Sequence, residues 1–346
     1  MVYMKLRASL LLAGCLSLVS AVPFASQHTN ELPLPSKTIF QMDTGDIWLE
    51  TILARQNGEL LVTMLWPNSS IFSLQNPSSP SPEWNLVHTF DGENGVLGIV
   101  ETKPDIFVVA AGQFTAMGTW VAGTGALWEI SLAKSDAPSV RKITDIPESV
   151  FLNGVEAVPG CAHDAVLIAD SSLGAVWRVD TNTGNYSIVL EVPEMLPIAN
   201  ATEQFGVNGL KVRDGYLYWS NSNYHTIYRV KFDSHGYPVA GAPVETVAVL
   251  DSVFIDDFVF DKTGTLWAAT NLDNLVVALR PDGSSETVAG AATQLTVAGD
   301  TSVTFGTTKS DSHILYVVTT GAVASPVNGT VTEPPKVVAV DTTGFR

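Results

Sequence analysis

The sequence predicts an all-β protein, a six-bladed β-propeller whose blades are four-stranded antiparallel sheets. A unit of two short apolar strands joined by a turn recurs about every 50 residues, and such a period is typical of propellers. Six of these units account for nearly all of the chain from residue 37 onward. Because one four-stranded sheet cannot bury both of its faces, repeated sheets are expected to stack around an axis and share a core.

The repeat is clearest in the middle of the chain and looser towards both ends. Its six copies begin near Leu49, Val96, Leu152, Val207, Ile255 and Thr301. A further strand is predicted ahead of the first copy, at residues 37–42 (KTIFQM). In a propeller such a strand commonly completes the last blade and removes an exposed sheet edge.

The first residues have the features of a secretory signal peptide. Lys5 and Arg7 precede an apolar run over 10–19, and small residues follow at Ser20 and Ala21. The run is shorter than the ~20 residues that a membrane anchor needs, so a signal peptide covering residues 1–21 is predicted. Residues 22–36 are predicted to be a poorly ordered lead-in, and residues 37–346 a single propeller domain. The expected location is outside the cell or in the lumen of the secretory pathway.

Two other features agree with secretion. Four Asn-X-Ser/Thr sequons are predicted glycosylation sites: Asn68, Asn185, Asn200 and Asn328. Removal of the signal peptide takes away Cys15 and leaves Cys161 as the remaining cysteine. No intramolecular disulfide is then possible, and Cys161 is expected to be a buried thiol.

Composition excludes several classes of partner and cofactor. The net charge of −17 would repel nucleic acid and anionic membranes. The chain has no phosphate-binding loop, no dinucleotide fingerprint and no HExxH motif, so no organic cofactor is expected. Since a propeller closes its own edges, a monomer is expected.

The predicted blades also locate a functional face. If the strands of a blade are called A to D from the axis outward, the D to A and B to C connections emerge on the same face, where ligands reach the axis. The predicted B to C loops cover 65–70, 112–125, 171–174, 221–225, 271–274 and 320–335. Long loops on one face of a rigid scaffold are common places for function.

One residue near the start of each A strand is predicted to point towards the axis. These ring residues are Glu50, Leu97, Asn153, Asn208, Asp256 and Thr301. Four of them, Glu50, Asn153, Asn208 and Asp256, carry oxygen ligands and would suit one divalent cation, Ca²⁺ or Mg²⁺. The alternative is that the Asn-Gly and Asp-Asp pairs only cap tight loops.

This pattern resembles the six-bladed propellers of the senescence-marker-protein and gluconolactonase type. In those lactonases a Glu, an Asn-Gly, a Pro-Asn-Gly and a Pro-Asp-Gly surround a catalytic metal, and the resemblance implies the same role for the four oxygen-bearing ring residues. Val207 and Ile255 replace the two prolines, and Asp257 replaces the last glycine. A metal-dependent lactonase acting on a hydrophobic lactone, with Asp256 or Asp257 handling the proton, is therefore one hypothesis.

A closer resemblance is to a fungal, secreted branch of this superfamily. It is carried by 48–50 (WLE), 57–63 (NGELLVT), 169–171 (ADS), 177–180 (WRVD) and 216–221 (YLYWSN). Members of this branch look like the hetero-Diels-Alderases of tropolone-sesquiterpenoid biosynthesis. The resemblance implies an enzyme of secondary metabolism that joins a tropolone-type quinone methide to a humulene-type terpene alkene.

Such a cycloaddition needs small hydrophobic substrates held together and shielded from water. The candidate substrate-binding residues are Trp66, Phe114, Met117, Trp120, Trp219 and Phe254. Tyr224 or His225 would donate a hydrogen bond to the oxygen that gains electron density. Trp219 and Phe254 could instead be core residues, and a non-catalytic binding propeller also stays open, because the fold alone does not fix function.

Overall fold

The computed structural model describes residues 31–133, 137–160, 164–202 and 204–345. It confirms the predicted fold, because the chain forms six four-stranded antiparallel sheets that are the blades of a propeller. The predicted signal peptide and Cys161 lie outside the described residues. Within those residues, no helix is long and apolar enough to cross a membrane.

The strands follow the chain blade by blade. The first is β1 (Ser36–Gln41). Blade 1 contains β2 (Trp48–Ala54), β3 (Leu60–Trp66), β4 (Ser70–Gln75) and β5 (Glu83–Thr89). Blade 2 starts with β6 (Gly95–Lys103) and β7 (Ile106–Gly112), is interrupted by a small hairpin of β8 (Phe114–Ala116) and β9 (Thr119–Trp120), and ends with β10 (Gly125–Ser131) and β11 (Ser139–Ile146).

The described parts of the remaining blades contain no such inserted hairpin. Blade 3 contains β12 (Leu152–Ala157), β13 (Ala165–Asp170), β14 (Ala175–Asp180) and β15 (Tyr186–Glu191). Blade 4 contains β16 (Val207–Arg213), β17 (Tyr216–Asn221), β18 (Thr226–Lys231) and β19 (Glu245–Val249). Blade 5 contains β20 (Phe258–Phe260), β21 (Leu266–Ala269), β22 (Leu275–Leu279) and β23 (Ser285–Gly290). Blade 6 contains β24 (Asp300–Phe305), β25 (Ile314–Thr319) and β26 (Lys336–Asp341). Single 3₁₀ turns lie at Pro193–Met195 and Asn271–Asp273.

The ring closes as the sequence predicted. Strand β1 pairs antiparallel with β26, with Lys37 opposite Ala339, and so becomes the fourth strand of blade 6. Leu34, a described residue of the predicted lead-in, contacts the ring. Leu34 is buried, and its N–H donates to the carbonyl of Val288 at 2.8 Å. Ring closure places this residue in the core between blades 5 and 6.

Position within a blade decides how strongly a strand is buried. Strand β13 is buried at every residue, which explains its continuous apolar sequence. The outermost strand of the same blade, β15, leaves Ser187 and Ile188 exposed. The A strands of neighbouring blades contact one another at the axis, so the ring residues of different blades come together there.

Glycines that follow the ring residues permit this close approach. A Cβ atom on Gly154 would lie 2.5 Å from the carbonyl oxygen of Asn208, and one on Gly209 would lie 2.6 Å from Oδ1 of Asp257. Neither glycine has a positive φ. The Asn-Gly pairs therefore reflect the packing of adjacent A strands, and the alternative that they cap tight loops is wrong at these positions.

Candidate functional site

A cavity of about 430 Å³ lies at the axis, among the predicted B to C loops. Four oxygen-bearing ring residues form its polar floor: Glu50, Asn153, Asn208 and Asp256. The structure thus brings together the four residues that the sequence proposed as one cluster. Above them, the wall comes from D to A connections and from the B to C loops of blades 1, 2, 5 and 6.

Hydrogen bonds hold the carboxyl groups of the floor in place. The indole N–H of Trp48 donates to Oε2 of Glu50. The side-chain amide of Asn208 donates to Oδ1 of Asp256 at 2.9 Å, and that of Asn271 donates to Oδ2 at 2.9 Å. Each of these polar groups is at most 6% exposed, except Trp48, which is partly buried. The orientation of both carboxyl groups is therefore fixed before any ligand binds.

The pKa values of both carboxyl groups are raised. Burial raises the pKa of Glu50 well above its ordinary value of 4.5, and the nearby charge of Asp256 raises it further, against the hydrogen bond from Trp48. Burial likewise raises the pKa of Asp256 to about 7, although the amide of Asn271 lowers it. Desolvation disfavours the charged form of a carboxyl group. The floor can therefore present a protonated carboxyl, which is a hydrogen-bond donor, near neutral pH.

An ion pair lies beneath the floor. Lys211 Nζ is 2.9 Å from Oδ1 of Asp257, and the hydroxyl of Ser302 donates to Oδ2 at 2.9 Å. The space at this level shrinks to a cavity of about 20 Å³. Lys211 is thus engaged by Asp257, and no salt bridge joins Glu50 or Asp256 to a basic side chain in the ranges that the structure describes.

A continuous belt of aromatic rings follows one wall of the cavity, with Phe151, Phe205 and Phe254 in its lining. The ring centroids of Phe114 and Phe151 are 6.1 Å apart, those of Phe151 and Phe205 are 4.9 Å apart, and those of Phe205 and Phe254 are 6.1 Å apart. All three pairs meet edge to face, a favourable geometry for aromatic rings. Trp120 packs against Phe151 at 5.3 Å. The wall is therefore apolar and supported from behind.

The predicted substrate-binding residues differ in where the structure places them. Met117, from the hairpin between β8 and β9, and Phe254 line the cavity. Phe114 is 4% exposed and, with Trp120 and Trp66, belongs to the cluster that packs behind the lining residues. These three side chains shape the cavity wall without forming its surface.

The prediction that Trp219 binds substrate is wrong. Trp219 is fully buried in the core cluster between blades 3 and 4. Its ring stacks on Tyr228 at 5.6 Å, and its N–H donates to the carbonyl of Glu194. Strand β17 lies inside the blade, so a large apolar side chain there fills the core.

The proposed catalytic residues Tyr224 and His225 do not line the cavity. Tyr224 is 45% exposed, and its N–H donates to Oδ1 of Asn221 at the end of the preceding strand. His225 accepts a hydrogen bond from the N–H of Leu250 through its backbone carbonyl. The structure therefore brings the carboxyl groups of Glu50 and Asp256 to the cavity in place of these two side chains.

Several lining residues were missed, and two of them, Trp48 and Phe151, carried a signal. Like the predicted residue Phe254, each lies two positions before a ring residue, and strand side chains two positions apart face the same way. The other three blades have glycine at this position: Gly95, Gly206 and Gly299. Aromatic residues and glycines thus alternate around the ring. Phe205 and Asn271 lie in loops and had no comparable pattern.

The site has the carboxyl groups, the apolar wall and the enclosure of a small-molecule site. Two known proteins are similar to this chain in sequence. A protein of Sarocladium schorii that is named a hetero-Diels-Alderase is 33% identical over 343 residues, covering 91% of this chain and 85% of the relative. A protein of a Phoma species with the same name is 36% identical over 312 residues, covering 83% and 87%. This chain belongs to the hetero-Diels-Alderase family. It is an enzyme of the pericyclase type.

Solved structures of low sequence identity resemble this hetero-Diels-Alderase in fold alone. The calcium-binding protein regucalcin of Agrobacterium tumefaciens superposes with a TM-score of 0.60 and 13% identity, covering 89% of this chain and 95% of the other. The resemblance to six-bladed propellers of this superfamily is therefore confirmed for the architecture. No family model matches the chain.

Proposed function

We propose that this enzyme joins a tropolone-type quinone methide to a humulene-type terpene alkene by an intermolecular hetero-Diels-Alder reaction. One observation carries the proposal: two buried carboxyl groups with raised pKa values lie at the floor of a cavity whose wall is aromatic. The heterodiene has a polar end, its carbonyl oxygen, and the alkene is a hydrocarbon. The cavity has a matching polar floor and apolar wall.

The chemistry requires no group to leave. The alkene carbons form one C–C bond to the methide carbon and one C–O bond to the carbonyl oxygen, and the three π bonds involved become two new σ bonds and one π bond. A protonated carboxyl of Glu50 or Asp256 would donate a hydrogen bond to the carbonyl oxygen and withdraw electron density from the heterodiene. Preorganised donors of this kind are strong contributors to catalysis.

The cavity supplies the second contribution. Holding two reactants in a reactive geometry can lower a barrier by up to about 7–11 kcal/mol in ideal cases. The edges of Phe151, Phe205 and Phe254 would hold the alkene without hydrogen bonds. The enclosed wall would also keep water from adding to the methide.

The polar floor supports a second candidate function, metal-dependent hydrolysis of a hydrophobic lactone. Among the described residues, no three His, Cys, Asp or Glu side chains are grouped as a metal site, so a site here depends on amide oxygens as well. Glu50, Asn153, Asn208 and Asp256 fit a hard cation, Ca²⁺ or Mg²⁺, because all four offer oxygen and neither carboxyl has a described ion-pair partner. Bound there, the ion would act as a Lewis acid towards a substrate oxygen.

We also propose that the protein is secreted, glycosylated and monomeric, with small hydrophobic substrates as partners and no contact with nucleic acid or membrane. The sequence of residues 1–21 supports secretion. All four sequon asparagines are exposed, which leaves them accessible to glycosylation. Treatment of secreted protein with an N-glycosidase, followed by mass spectrometry of the peptides, tests this.

One experiment separates the two candidate functions. Purified protein is incubated with a quinone-methide precursor and a humulene-type alkene, with and without EDTA, and the products are separated by chiral chromatography. An enantioenriched adduct that survives EDTA supports the cycloaddition and makes any metal dispensable. No adduct above the protein-free background, together with EDTA-sensitive opening of a hydrophobic test lactone, contradicts it and favours hydrolysis.

A further inference from the structure

Asp300 occupies a position that is apolar in every other blade. The residue just before each ring residue is fully buried, and in blades 1 to 5 it is aliphatic: Leu49, Val96, Leu152, Val207 and Ile255. Blade 6 places Asp300 there, also with no exposed surface. Burying a carboxyl where an aliphatic side chain would fit is costly unless it makes specific hydrogen bonds.

The carboxyl of Asp300 reaches across to blade 5. Its Oδ2 accepts a hydrogen bond from the backbone N–H of Thr270 at 3.0 Å. The same N–H also donates to the carbonyl of Leu275 in its own blade, at the longer distance of 3.2 Å. Thr270 is the residue between strand β21 and the 3₁₀ turn Asn271–Asp273. A second bond holds the other end of this loop, because the N–H of Gly299 donates to Oδ1 of Asn274 at 2.8 Å. Blade 6 therefore clamps the loop 270–274 at both ends.

The clamped loop carries Asn271 into the floor of the cavity. Asn271 lines the cavity, is 5% exposed and donates to Oδ2 of Asp256 at 2.9 Å. Its backbone has a φ of +50°, a conformation that residues other than glycine adopt at a cost. Neighbouring structure must hold it there, and the bond from Thr270 to Asp300 is immediately adjacent.

We propose that Asp300 is a positioning residue for the cavity floor, acting through Thr270 and Asn271 on the carboxyl of Asp256. This inference rests on the proposed cycloaddition for its kinetic readout. Asn271 is the residue that touches the site, whereas Asp300 acts from behind it. The Asp256 carboxyl in the floor of the cavity is thus held by contacts between blades 4, 5 and 6.

A double-mutant cycle tests the proposal. Asp300→Val gives blade 6 the side chain of blades 2 and 4 and removes the blade 6 acceptor for Thr270, while Asp300→Asn keeps an acceptor oxygen of the same shape. Because the N–H of Thr270 then has only the carbonyl of Leu275 in its own blade, the bond between the blades is lost. Asp300→Val should therefore reduce kcat about tenfold, and Asp300→Asn should restore most of the rate. Asn271→Ala should cause a similar loss. Residues acting through one contact are not additive, so the double variant should lose no more than the more severe single variant.

Hydrogen exchange gives a readout that needs no activity. The amide of Thr270 should exchange faster in Asp300→Val than in the wild type and in Asp300→Asn. If the wild type forms no cycloadduct, the proposed function fails. The exchange rate of the Thr270 amide still shows whether Asp300 holds the loop 270–274. If Asp300→Val does not fold, Asn274→Gly tests the other end of the clamp, since glycine suits the φ of +60° at this residue. This variant removes the acceptor for Gly299 and, with it, the long 3.5 Å bond from the Asn274 amide to the carbonyl of Ala292. Unchanged exchange, or kinetic losses that multiply in the double variant, would overturn the proposal.

Discussion

Asn208 and Asp256 are hydrogen-bonded across the boundary between blades 4 and 5, with the amide of Asn208 donating to Oδ1 of Asp256 at 2.9 Å. Asn271 holds the other carboxyl oxygen. Asp256 is therefore fixed from two sides in a buried site that still faces the cavity. A carboxyl held in this way can serve as a directional donor when protonated.

The rate of cycloaddition should depend on this proton. Because the pKa of Asp256 is raised to about 7 and that of Glu50 is also raised, the protonated forms persist at mildly acidic pH. The rate should therefore fall as the pH rises above about 7, since a carboxylate cannot donate a hydrogen bond. Initial rates corrected for the uncatalysed reaction at each pH measure this.

Glu50→Gln and Asp256→Asn serve as controls, because their amides do not titrate. Either variant should show a flatter pH profile than the wild type. A wild-type rate that increases through this range would contradict the carboxyl donor.

Stability should depend on pH through Glu156, which lies outside the cavity floor. Burial raises the pKa of Glu156 from 4.5 to about 7, against the attraction of Lys211. The folded protein then binds this proton more tightly than the unfolded chain, so its contribution is present at low pH and lost as the pH rises from about 4.5 to about 7. Glu156→Gln should change the pH dependence of the unfolding free energy by up to about 3 kcal/mol across this range.

Denaturant unfolding of the wild type and of Glu156→Gln, at one pH below and one above this range, measures the difference. Parallel losses of stability in the two proteins would mean that Glu156 titrates in the folded state as it does in the unfolded chain.

The aromatic belt should control stereochemistry. Phe254→Leu keeps an apolar side chain of moderate size but removes the ring edge that faces Phe205. We expect a lower enantiomeric ratio of the cycloadduct, because the alkene gains alternative orientations. The ratio is measured by chiral chromatography after the product of the protein-free reaction has been subtracted, so that it reports only the product made by the enzyme. An unchanged ratio in both Phe254→Leu and Phe151→Leu would exclude the belt as the alkene site.

Trp219 provides the contrasting case. Because its ring is fully buried between blades 3 and 4, Trp219→Ala should reduce the free energy of unfolding by about 3–5 kcal/mol. The enantiomeric ratio made by the remaining folded protein should equal that of the wild type. A changed ratio with normal stability would place Trp219 in the site after all.

The sequence was sufficient to predict the blades, the closing strand and the four residues of the floor. Those features follow from regular spacing, because each blade repeats the same strands and carries a ring residue within two positions of the start of its A strand. A comparison of the position two residues before each ring residue would also have predicted Trp48, Phe151 and Phe254 as one set of lining residues.

The errors have a different cause. Trp219 and Phe254 both look like large apolar residues beside a strand, yet only Phe254 faces the cavity, since burial depends on which neighbouring blade covers each face. Tyr224 lies on a predicted B to C loop, but the path of that loop leaves its side chain 45% exposed and outside the lining. The position of Asn271 in the cavity depends on a loop that is held by another blade. No local sequence pattern predicts such a contact between blades.

The most direct test of the account is a crystal structure of the enzyme with its cycloadduct bound. We predict that the dihydropyran oxygen lies within hydrogen-bond distance of the carboxyl of Glu50 or Asp256, with the hydrocarbon ring against Phe151 and Phe254. A product bound in the opposite orientation, with its oxygen against the aromatic belt, or bound outside this cavity, would contradict the proposed function.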